Sequence, residues 1–388
     1  VFTVYSNKAV LQLEGEGDDD TFVVRAFVRV DGGSGSSTVE IGGGSGNDSV
    51  EYSINSPVQV DGGSGFDTVV AIGTEEDDVF LITDEGIRGS GLNISITNTE
   101  EAIQVDGLEG NDTFFIQSTR TGAVTQVIGG LGADTLFGGL GDDTYAFGTA
   151  TTAEEDTVAE AANRGTDTLS FSSLTTDVIV SLGTTAVQTV DANRTLKLNA
   201  GSVFENLVGG SGNDTLTGNS LANILVGNAG NDRLNGGSGD DSLFGGTGDD
   251  TYVFGTATST AEADTVTEAA SAGLDTLSFS SLTTDVILSL ETTAVQTVHA
   301  NRTLKLNTTD VFENIVGGSG NDTLTGNSLA NTLTGNAGND TLTGGSGDDS
   351  LSGGDNNDSL FGQSGNDSVS GGLGDDQITG DDGNDVLS

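Results

Sequence analysis

The chain has 388 residues and carries 59 acidic side chains against 11 basic ones, a formal net charge of −48. Its basic residues are too few and too scattered to form the cationic surface that a nucleic-acid-binding protein needs. The absence of Cys excludes disulfides, thiol nucleophiles and thiolate metal sites, and a single His excludes any site that needs two imidazoles. No stretch reaches the roughly 18 apolar residues of a transmembrane segment.

The acidic residues are unevenly divided between the two types. Asp accounts for 41 of them and Glu for 18, and 61 further residues are Gly. Asp beside Gly is typical of turns and of sites for hard cations such as calcium. A compact state with this much negative charge is unfavourable unless cations bind to it. We therefore expect a protein that folds with calcium, in an extracellular setting where free calcium is millimolar.

Residues 1–128 repeat only loosely. We expect irregular β-solenoid coils there, with isolated calcium loops in the nonapeptides that begin at Gly43 and Gly62. Short apolar or alternating runs that follow turn residues predict strands. These runs are Thr21–Val24, Val79–Ile82, Ile94–Ile96 and Thr113–Ile116.

The remainder of the chain alternates between nonapeptide blocks and longer inserts. Nonapeptides fill residues 129–146, 209–253 and 317–388. The inserts, 147–208 and 254–316, are copies of each other, and we expect both to form longer β-coils. Alternation in Val178, Val180 and Leu182 supports a strand in the first insert, whereas 153–162 stays unassigned between helix and strand.

The nonapeptide pattern is Gly-Gly-x-Gly-x-Asp-x-U-x, where U is almost always Leu, Val or Ile. We expect its glycines to supply left-handed or otherwise strained backbone in a turn. The last three residues form a short strand whose eighth residue points inward. One nonapeptide cannot bury its apolar residue, but stacked turns make a continuous core. In the last block the predicted inward residues are Leu324, Leu333, Leu342, Leu351, Leu360, Val369, Ile378 and Leu387.

This pattern resembles the haemolysin-type calcium-binding (RTX) nonapeptide repeats. The resemblance implies an all-β, elongated parallel β-solenoid, a calcium β-roll with two nonapeptides per turn and calcium between stacked loops at both edges. Calcium accepts six or more oxygen ligands at flexible geometry, and about a dozen ions could share these loops. The ligands implied by the resemblance, together with Asp112 in the similar loop 109–115, are Asp48, Asp67, Asp112, Asp134, Asp143, Asp214, Asp232, Asp241, Asp250, Asp322, Asp340, Asp349, Asp358, Asp367, Asp376 and Asp385.

Two nonapeptides depart from the pattern in the same way. Asn223 and Asn331 stand where the ligand Asp belongs, and Leu221 and Leu329 replace the fourth-position Gly. We expect no calcium, or only a weak site, in these two loops, because a neutral amide attracts a cation less than a carboxylate does.

Other polar residues have simpler interpretations. Lys197 and Lys305 recur inside Ala-Asn-Arg-Thr-Leu-Lys-Leu-Asn, where alternation predicts that the Lys faces solvent. This placement argues against a lyase-like catalytic base. His299 has Asp191 at the equivalent place in the other copy, so we expect an exposed surface residue. Tyr145 and Tyr252 occupy the inward eighth position and are predicted to be core residues.

The sequence therefore favours a non-enzymatic, secreted calcium-binding solenoid with a structural or adhesive role at a bacterial surface or in the extracellular matrix. Carboxylate repulsion would keep the chain extended until calcium folds it after export. The ends show no polar capping element, so we expect either that the natural chain continues past them or that chains self-associate head to tail or side by side. The alternative is a calcium-triggered secretion and folding module of a larger secreted enzyme or toxin.

Overall fold

The structure is a computed structural model. It describes residues 2–4, 11–15, 17, 19, 21–24, 39–42, 45, 47, 49–52, 57–61, 67–83, 85–89, 92–97, 102–117, 124–160, 165–256, 261–269 and 273–388. Within these ranges every regular element is a β-strand, and no helix is long and apolar enough to cross a membrane. Most strand pairs are parallel, so the predicted all-β parallel solenoid is confirmed.

The chain divides into two compact units, the first formed by residues 1–173 and 184–204 and the second by 174–183 and 205–388. Strands are numbered in chain order. The first unit contains β1 (Phe2–Val4), β2 (Leu11–Glu14), β3 (Thr21–Val24), β4 (Val39–Gly42), β5 (Ser49–Tyr52), β6 (Pro57–Asp61), β7 (Thr68–Ile72), β8 (Val79–Thr83), β9 (Gly86–Gly89), β10 (Leu92–Thr97), β11 (Ala102–Asp106), β12 (Thr113–Ile116), β13 (Val124–Ile128), β14 (Thr135–Phe137), β15 (Asp142–Ala146), β16 (Glu154–Ala159), β17 (Thr168–Ser170), β19 (Gln188–Thr189) and β20 (Arg194–Leu198).

The second unit holds the remaining strands. They are β18 (Ile179–Ser181), β21 (Asn206–Val208), β22 (Thr215–Thr217), β23 (Ile224–Ala229), β24 (Arg233–Asn235), β25 (Ser242–Thr247), β26 (Thr251–Val253), β27 (Glu262–Thr267), β28 (Thr276–Ser278), β29 (Ile287–Ser289), β30 (Gln296–His299), β31 (Arg302–Leu306), β32 (Asn314–Val316), β33 (Thr323–Thr325), β34 (Thr332–Ala337), β35 (Thr341–Ser346), β36 (Ser350–Asp355), β37 (Ser359–Ser364), β38 (Ser368–Leu373), β39 (Gln377–Asp382) and β40 (Val386–Leu387).

In the first unit, successive strands along the chain alternate between two stacks, except that β8, β9 and β10 share one stack, as do β19 and β20. One stack runs β1-β3-β5-β7-β11-β13-β15-β17 and the other β2-β4-β6-β10-β9-β8-β12-β14-β16-β20-β19. All four strands predicted in residues 1–128 are present. The parallel order is interrupted where β9 pairs antiparallel with β8 and β10, and where β19 pairs antiparallel with β20. The unassigned segment 153–162 contains strand β16.

In the second unit, the stacks are β21-β23-β25-β27-β31-β30, β18-β22-β24-β26-β28-β32-β34-β36-β38-β40 and β29-β33-β35-β37-β39. Leu333 pairs with Leu351, and Leu342 with Leu360, so each coil advances 18 residues. Two nonapeptides therefore make one coil, as the resemblance implies. Strand β30 is the exception, because it returns antiparallel to β31.

The core is a narrow stack of eighth-position side chains. From Leu324 to Val369 each of them is at most 1 % exposed, and each contributes about 1.5–3 kcal/mol by burial. Ile378 is only partly covered and Leu387 is 49 % exposed, since both lie in the last coil. Tyr145 and Tyr252 are fully buried, as predicted.

The prediction for His299 was wrong. Its side chain is 6 % exposed, because a register shift between Thr297 and His299 turns the ring inward where β30 pairs with β31. The ring Nδ1 lies 2.9 Å from the carbonyl oxygen of Ala300, and burial lowers the pKa of the imidazole. The predictions for Lys197 and Lys305 were confirmed, since both lysines are exposed on their strands.

Candidate calcium sites

The sixth-position aspartates stack into ladders, one rung per coil. In the last block the backbone N–H of Asp322 donates to Oδ1 of Asp340 at 2.7 Å, and Asp340 donates in the same way to Asp358 at 2.8 Å. The N–H of Asp358 donates to Oδ1 of Asp376 at 3.0 Å. These residues are 18 apart, so the ladder follows one edge of the coils.

A second ladder follows the other edge of the same block. The N–H of Asn331 donates to Asp349, Asp349 to Asp367, and Asp367 to Asp385, at 2.8, 2.9 and 3.0 Å. The two edges thus alternate along the chain, one nonapeptide to each. Because the spacing is nine, consecutive ligands lie on opposite edges of the coils. Ligands 18 residues apart lie on the same edge, one coil above the other.

Shorter ladders occur in the earlier blocks. Asp214 donates its N–H to Asp232, and Asp232 to Asp250, both at 2.7 Å. In the first unit the N–H of Asp112 donates to Asp134 at 2.9 Å. The structure therefore groups the predicted residues by edge rather than by block.

Nearly all of the predicted ligands are buried even though they are formally charged. Asp376 and Asp385 are half-buried, in the last coil. Asp48 lies outside the described residues. Those that are at most 2 % exposed are Asp67, Asp112, Asp134, Asp143, Asp214, Asp232, Asp241, Asp250, Asp322, Asp340, Asp349, Asp358 and Asp367.

One oxygen of most buried rungs lacks a hydrogen-bond partner among the described residues. While Oδ1 accepts the N–H of the preceding rung, Oδ2 is buried and accepts nothing. Burial of an unpaired charged oxygen is costly, so these atoms call for a cation. The unpartnered Oδ2 atoms belong to Asp112, Asp232, Asp241, Asp250, Asp275, Asp340, Asp349, Asp358 and Asp367.

The first glycine of each nonapeptide makes room beside this oxygen. A Cβ on Gly344 would collide with Oδ2 of Asp349 and meet the carbonyl oxygen of Gly362. The first glycine has no positive φ, so of the two expected conformations, left-handed or otherwise strained, it does not adopt the left-handed one. In this nonapeptide the glycines at positions two and four have positive φ, 112° at Gly345 and 119° at Gly347. The first glycine is instead required for the close approach of two oxygens.

The electrostatics of the ladders follow from burial. Burial raises the pKa of Asp232, Asp241 and Asp349 to about 7, against the lowering effect of the backbone N–H that each accepts. Neighbouring carboxylates raise these pKa values further. Burial likewise raises the pKa of Asp340 to about 6. The ladders therefore hold carboxylates that favour protonation unless a cation neutralises them.

Calcium fits this donor set. The ladders offer carboxylate oxygens and backbone carbonyls, the ligands calcium prefers, with neither His nor Cys for a softer metal. The ladder aspartates, with the carbonyl of the first glycine one coil on, would hold the ions. Bound calcium would neutralise the rungs.

The two Asn rungs satisfy themselves without an ion. Oδ1 of Asn331 accepts the N–H of Asn327 at 2.7 Å, and its Nδ2 donates to the carbonyl of Glu313 at 3.1 Å. Asn223 accepts from Asn219 at 2.7 Å and donates to Glu205 at 3.0 Å. An amide supplies its own donor where a carboxylate needs a cation.

Sequence reasoning missed further rungs that lack the Gly-Gly-x-Gly prefix. Each accepts the N–H of a rung one coil earlier, except Asp78, which donates its N–H to Asp112. Most lie in an Asp-Thr-Leu or Asp-Thr-Val tripeptide, a signal that would have found them without the glycines. The missed rungs are Asp78, Asp156, Asp167, Asp264 and Asp275.

Two of the missed rungs are neutralised by a buried Arg, which sequence reasoning also missed. Arg302 is 3 % exposed and pairs with Glu262 at 2.5 Å and with Asp264. Arg194 is 1 % exposed and pairs with Glu154 and, at 2.9 Å, with Asp156. At these rungs a guanidinium stands where the other rungs need a metal ion.

Stacked parallel coils with buried, cation-demanding carboxylates at their edges define a calcium-binding β-roll protein. The family model described as the RTX calcium-binding nonapeptide repeat matches residues 125–149, 200–220, 217–252, 309–328, 316–351, 325–360 and 352–387. The chain thus carries the RTX calcium-binding nonapeptide repeats that its sequence resembles. A comparison with curated proteins gave no match.

Proposed function

We propose that the protein is a non-enzymatic, secreted structural solenoid that folds only where calcium is plentiful. The observation that carries the proposal is the row of buried Oδ2 atoms without hydrogen-bond partners, among them those of Asp340, Asp358 and Asp367. A folded state with these atoms unpaired is disfavoured by several buried charges at once. Calcium binding free energy then becomes folding free energy.

The same energetics support the proposed external location. Submicromolar cytosolic calcium would leave the ladders empty and the chain extended by self-repulsion, which suits export. Millimolar external calcium would fill them, with about a dozen ions in total. The remaining surface charge gives the folded chain a means to attach to surfaces or matrices through further calcium.

Hydrodynamic measurements test this proposal. In chelator the full chain should have the large hydrodynamic radius of an expanded polymer, and in millimolar calcium a smaller one, with no comparable change in magnesium. Light scattering in the same experiment gives the mass and tests the predicted self-association. A radius that is the same in chelator and in calcium would contradict the proposed role.

A further inference from the structure

At one rung in each unit, the arrangement of oxygens differs from that of the regular ladders. Along the regular ladder, a Cβ on the first glycine, Gly227, would meet Oδ2 of Asp232 and the carbonyl oxygen of the next first glycine, Gly245. At Gly245 the nearest atoms are side-chain oxygens, and no backbone carbonyl is among them. A Cβ there would collide with Asp250 Oδ2, Glu268 Oε1 and the hydroxyl of Tyr252.

Three carboxylates converge at this point. One oxygen from each of Asp250, Glu268 and Asp275 lies within 4.8 Å of the other two. All three side chains are at most 4 % exposed. Oδ2 of Asp250 and Oδ2 of Asp275 have no hydrogen-bond partner among the described residues. The cluster thus combines three buried carboxylates, two of which have an unpartnered oxygen, and it contains no basic residue.

The surrounding residues hold Glu268 in place. Asn307 accepts the N–H of Glu268 through Oδ1 at 3.2 Å and donates through Nδ2 to its carbonyl at 2.6 Å. The hydroxyl of Tyr252 donates to Glu268 and accepts the N–H of Gly245 at 2.7 Å. Asn307 thus fixes the backbone of Glu268, and Tyr252 fixes its carboxylate.

The first unit contains a corresponding cluster, in which Oδ2 of Asp143 also accepts the N–H of Gly139 at 3.4 Å. Asp143, Glu160 and Asp167 also bring three carboxylate oxygens within 4.8 Å of one another. The hydroxyl of Tyr145 donates to Glu160, and Asn199 holds the backbone of Glu160 at 3.0 and 2.7 Å. Because the two inserts are copies of each other, the second cluster retains the tyrosine and the asparagine together with the three carboxylates.

We propose that these two clusters are calcium sites of a separate type, each with three carboxylates, and that they bind calcium more tightly than the nonapeptide loops. In the second unit the nonapeptide block contributes Asp250, and the insert contributes Glu268 and the next rung of the ladder, Asp275. Affinity in oxygen-ligand sites rises with the number of charged ligands and with rigidity, so we expect these sites to bind about tenfold more tightly than the regular loops. The two sites would fill first as calcium rises.

This assignment does not depend on the role proposed above, because it concerns the order and place of binding. A chain that is folded even in chelator would contradict that role and leave the two sites open to test. Conversely, conditional folding could hold while these clusters bind no metal.

Terbium provides a position-sensitive probe, since it takes the same oxygen ligands as calcium and emits when a nearby tyrosine is excited. The chain has four Tyr and no Trp, and Tyr145 and Tyr252 touch the two clusters. The full chain is titrated with terbium alone under tyrosine excitation. The first two equivalents should give most of the sensitised emission, one ion for each cluster.

Substitutions locate the signal. In the double variant E160Q/E268Q, the emission at two equivalents of terbium should be about fivefold lower than in wild type, because each cluster loses one charged ligand. The matched control E155Q/E291Q removes two exposed glutamates and should match wild type. The variant Y145F/Y252F should lose the emission while it retains bound terbium, measured by equilibrium dialysis.

Far-UV circular dichroism in saturating calcium checks that each variant folds. If E160Q/E268Q fails to fold, the single variants E160Q and E268Q each keep one cluster and should retain about half of the emission. Emission that rises evenly over all equivalents, or that is unchanged in the Gln variants, would overturn the proposal. Full emission from Y145F/Y252F would overturn it as well, since the ions would lie elsewhere.

Discussion

Asp340 donates its backbone N–H to Oδ1 of Asp358, one coil later, at 2.8 Å. That bond fixes the Asp358 carboxylate and leaves its Oδ2 buried without a hydrogen-bond partner. The same interaction that keeps the coils in register therefore creates the demand for a cation. We therefore expect folding and ion binding to be coupled at each such rung at neutral pH.

The first prediction concerns a single rung. D358N should lower the number of bound calcium ions by about one and raise the calcium concentration needed for folding, because the rung loses its charged ligand. D355N in the same nonapeptide removes the same charge from an exposed side chain and should leave both quantities unchanged. Isothermal titration calorimetry measures both. Equal effects from the two variants would mean that net charge, and not the rung, governs binding.

The second prediction concerns pH in the presence of calcium. Burial raises the pKa of Asp112, Asp232 and Asp349 to about 7, and calcium needs the ionised form. Protons therefore compete with calcium as pH falls through about 7 to 6, and the apparent calcium affinity should fall steeply in that range. Calcium titrations at pH 8, 7, 6 and 5 check this. An affinity that stays constant down to pH 5 would contradict it.

The third prediction concerns pH in chelator, where the sign reverses. These carboxyl groups have a raised pKa when folded, so the folded state binds more protons than the unfolded state between about pH 4 and 7. Stability without calcium is therefore highest at acid pH and is lost as pH rises through that range. Far-UV circular dichroism in chelator should show β-structure near pH 4 and little at pH 7.5. The opposite trend would show that carboxylate burial does not limit folding.

The fourth prediction concerns the buried Arg. R302M would leave the carboxylates of Glu262 and Asp264 buried without their cation and should destabilise the calcium-loaded protein by about 3–5 kcal/mol. K305M on the same strand removes an exposed charge and should cost far less. Urea unfolding in saturating calcium compares them. Similar midpoints for the two variants would show that Arg302 is not a substitute for a metal ion.

The fifth prediction concerns an Asn rung. N331D would replace the amide that donates to the carbonyl of Glu313 with a carboxylate beside Asp349. The variant should need more calcium to fold and should bind about one more ion once folded. Equilibrium dialysis gives the stoichiometry. An unchanged stoichiometry would show that other features of this loop, such as Leu329, prevent binding.

The repeat made much of this fold predictable. A period of nine with one apolar position gives the inward residues from Leu324 to Val369 directly, and the pairing of Leu333 with Leu351 follows once two nonapeptides form a coil. Strands in the inserts were less accessible to pattern reasoning. The turn that buries His299 depends on a register shift, which no local alternation encodes.

The site residues that the sequence did not reveal are those outside the nonapeptide pattern. Rungs such as Asp264 and Asp275 lack the glycine prefix, so only their position above another Asp reveals them. Arg302 lies 38 and 40 residues from the carboxylates it meets, and its role depends on how the insert packs against the ladder. Long-range pairing of this kind carries no fixed spacing that a sequence reader could count.

The most direct test of the account is far-UV circular dichroism of the full chain during a calcium titration from chelator at neutral pH. Calcium-dependent folding predicts a disordered spectrum in chelator, a cooperative gain of β-structure as calcium rises, and no equivalent gain with magnesium, which demands stricter geometry and dehydrates reluctantly. The same β-spectrum in chelator as in calcium would contradict the claim that the ladders need cations to fold.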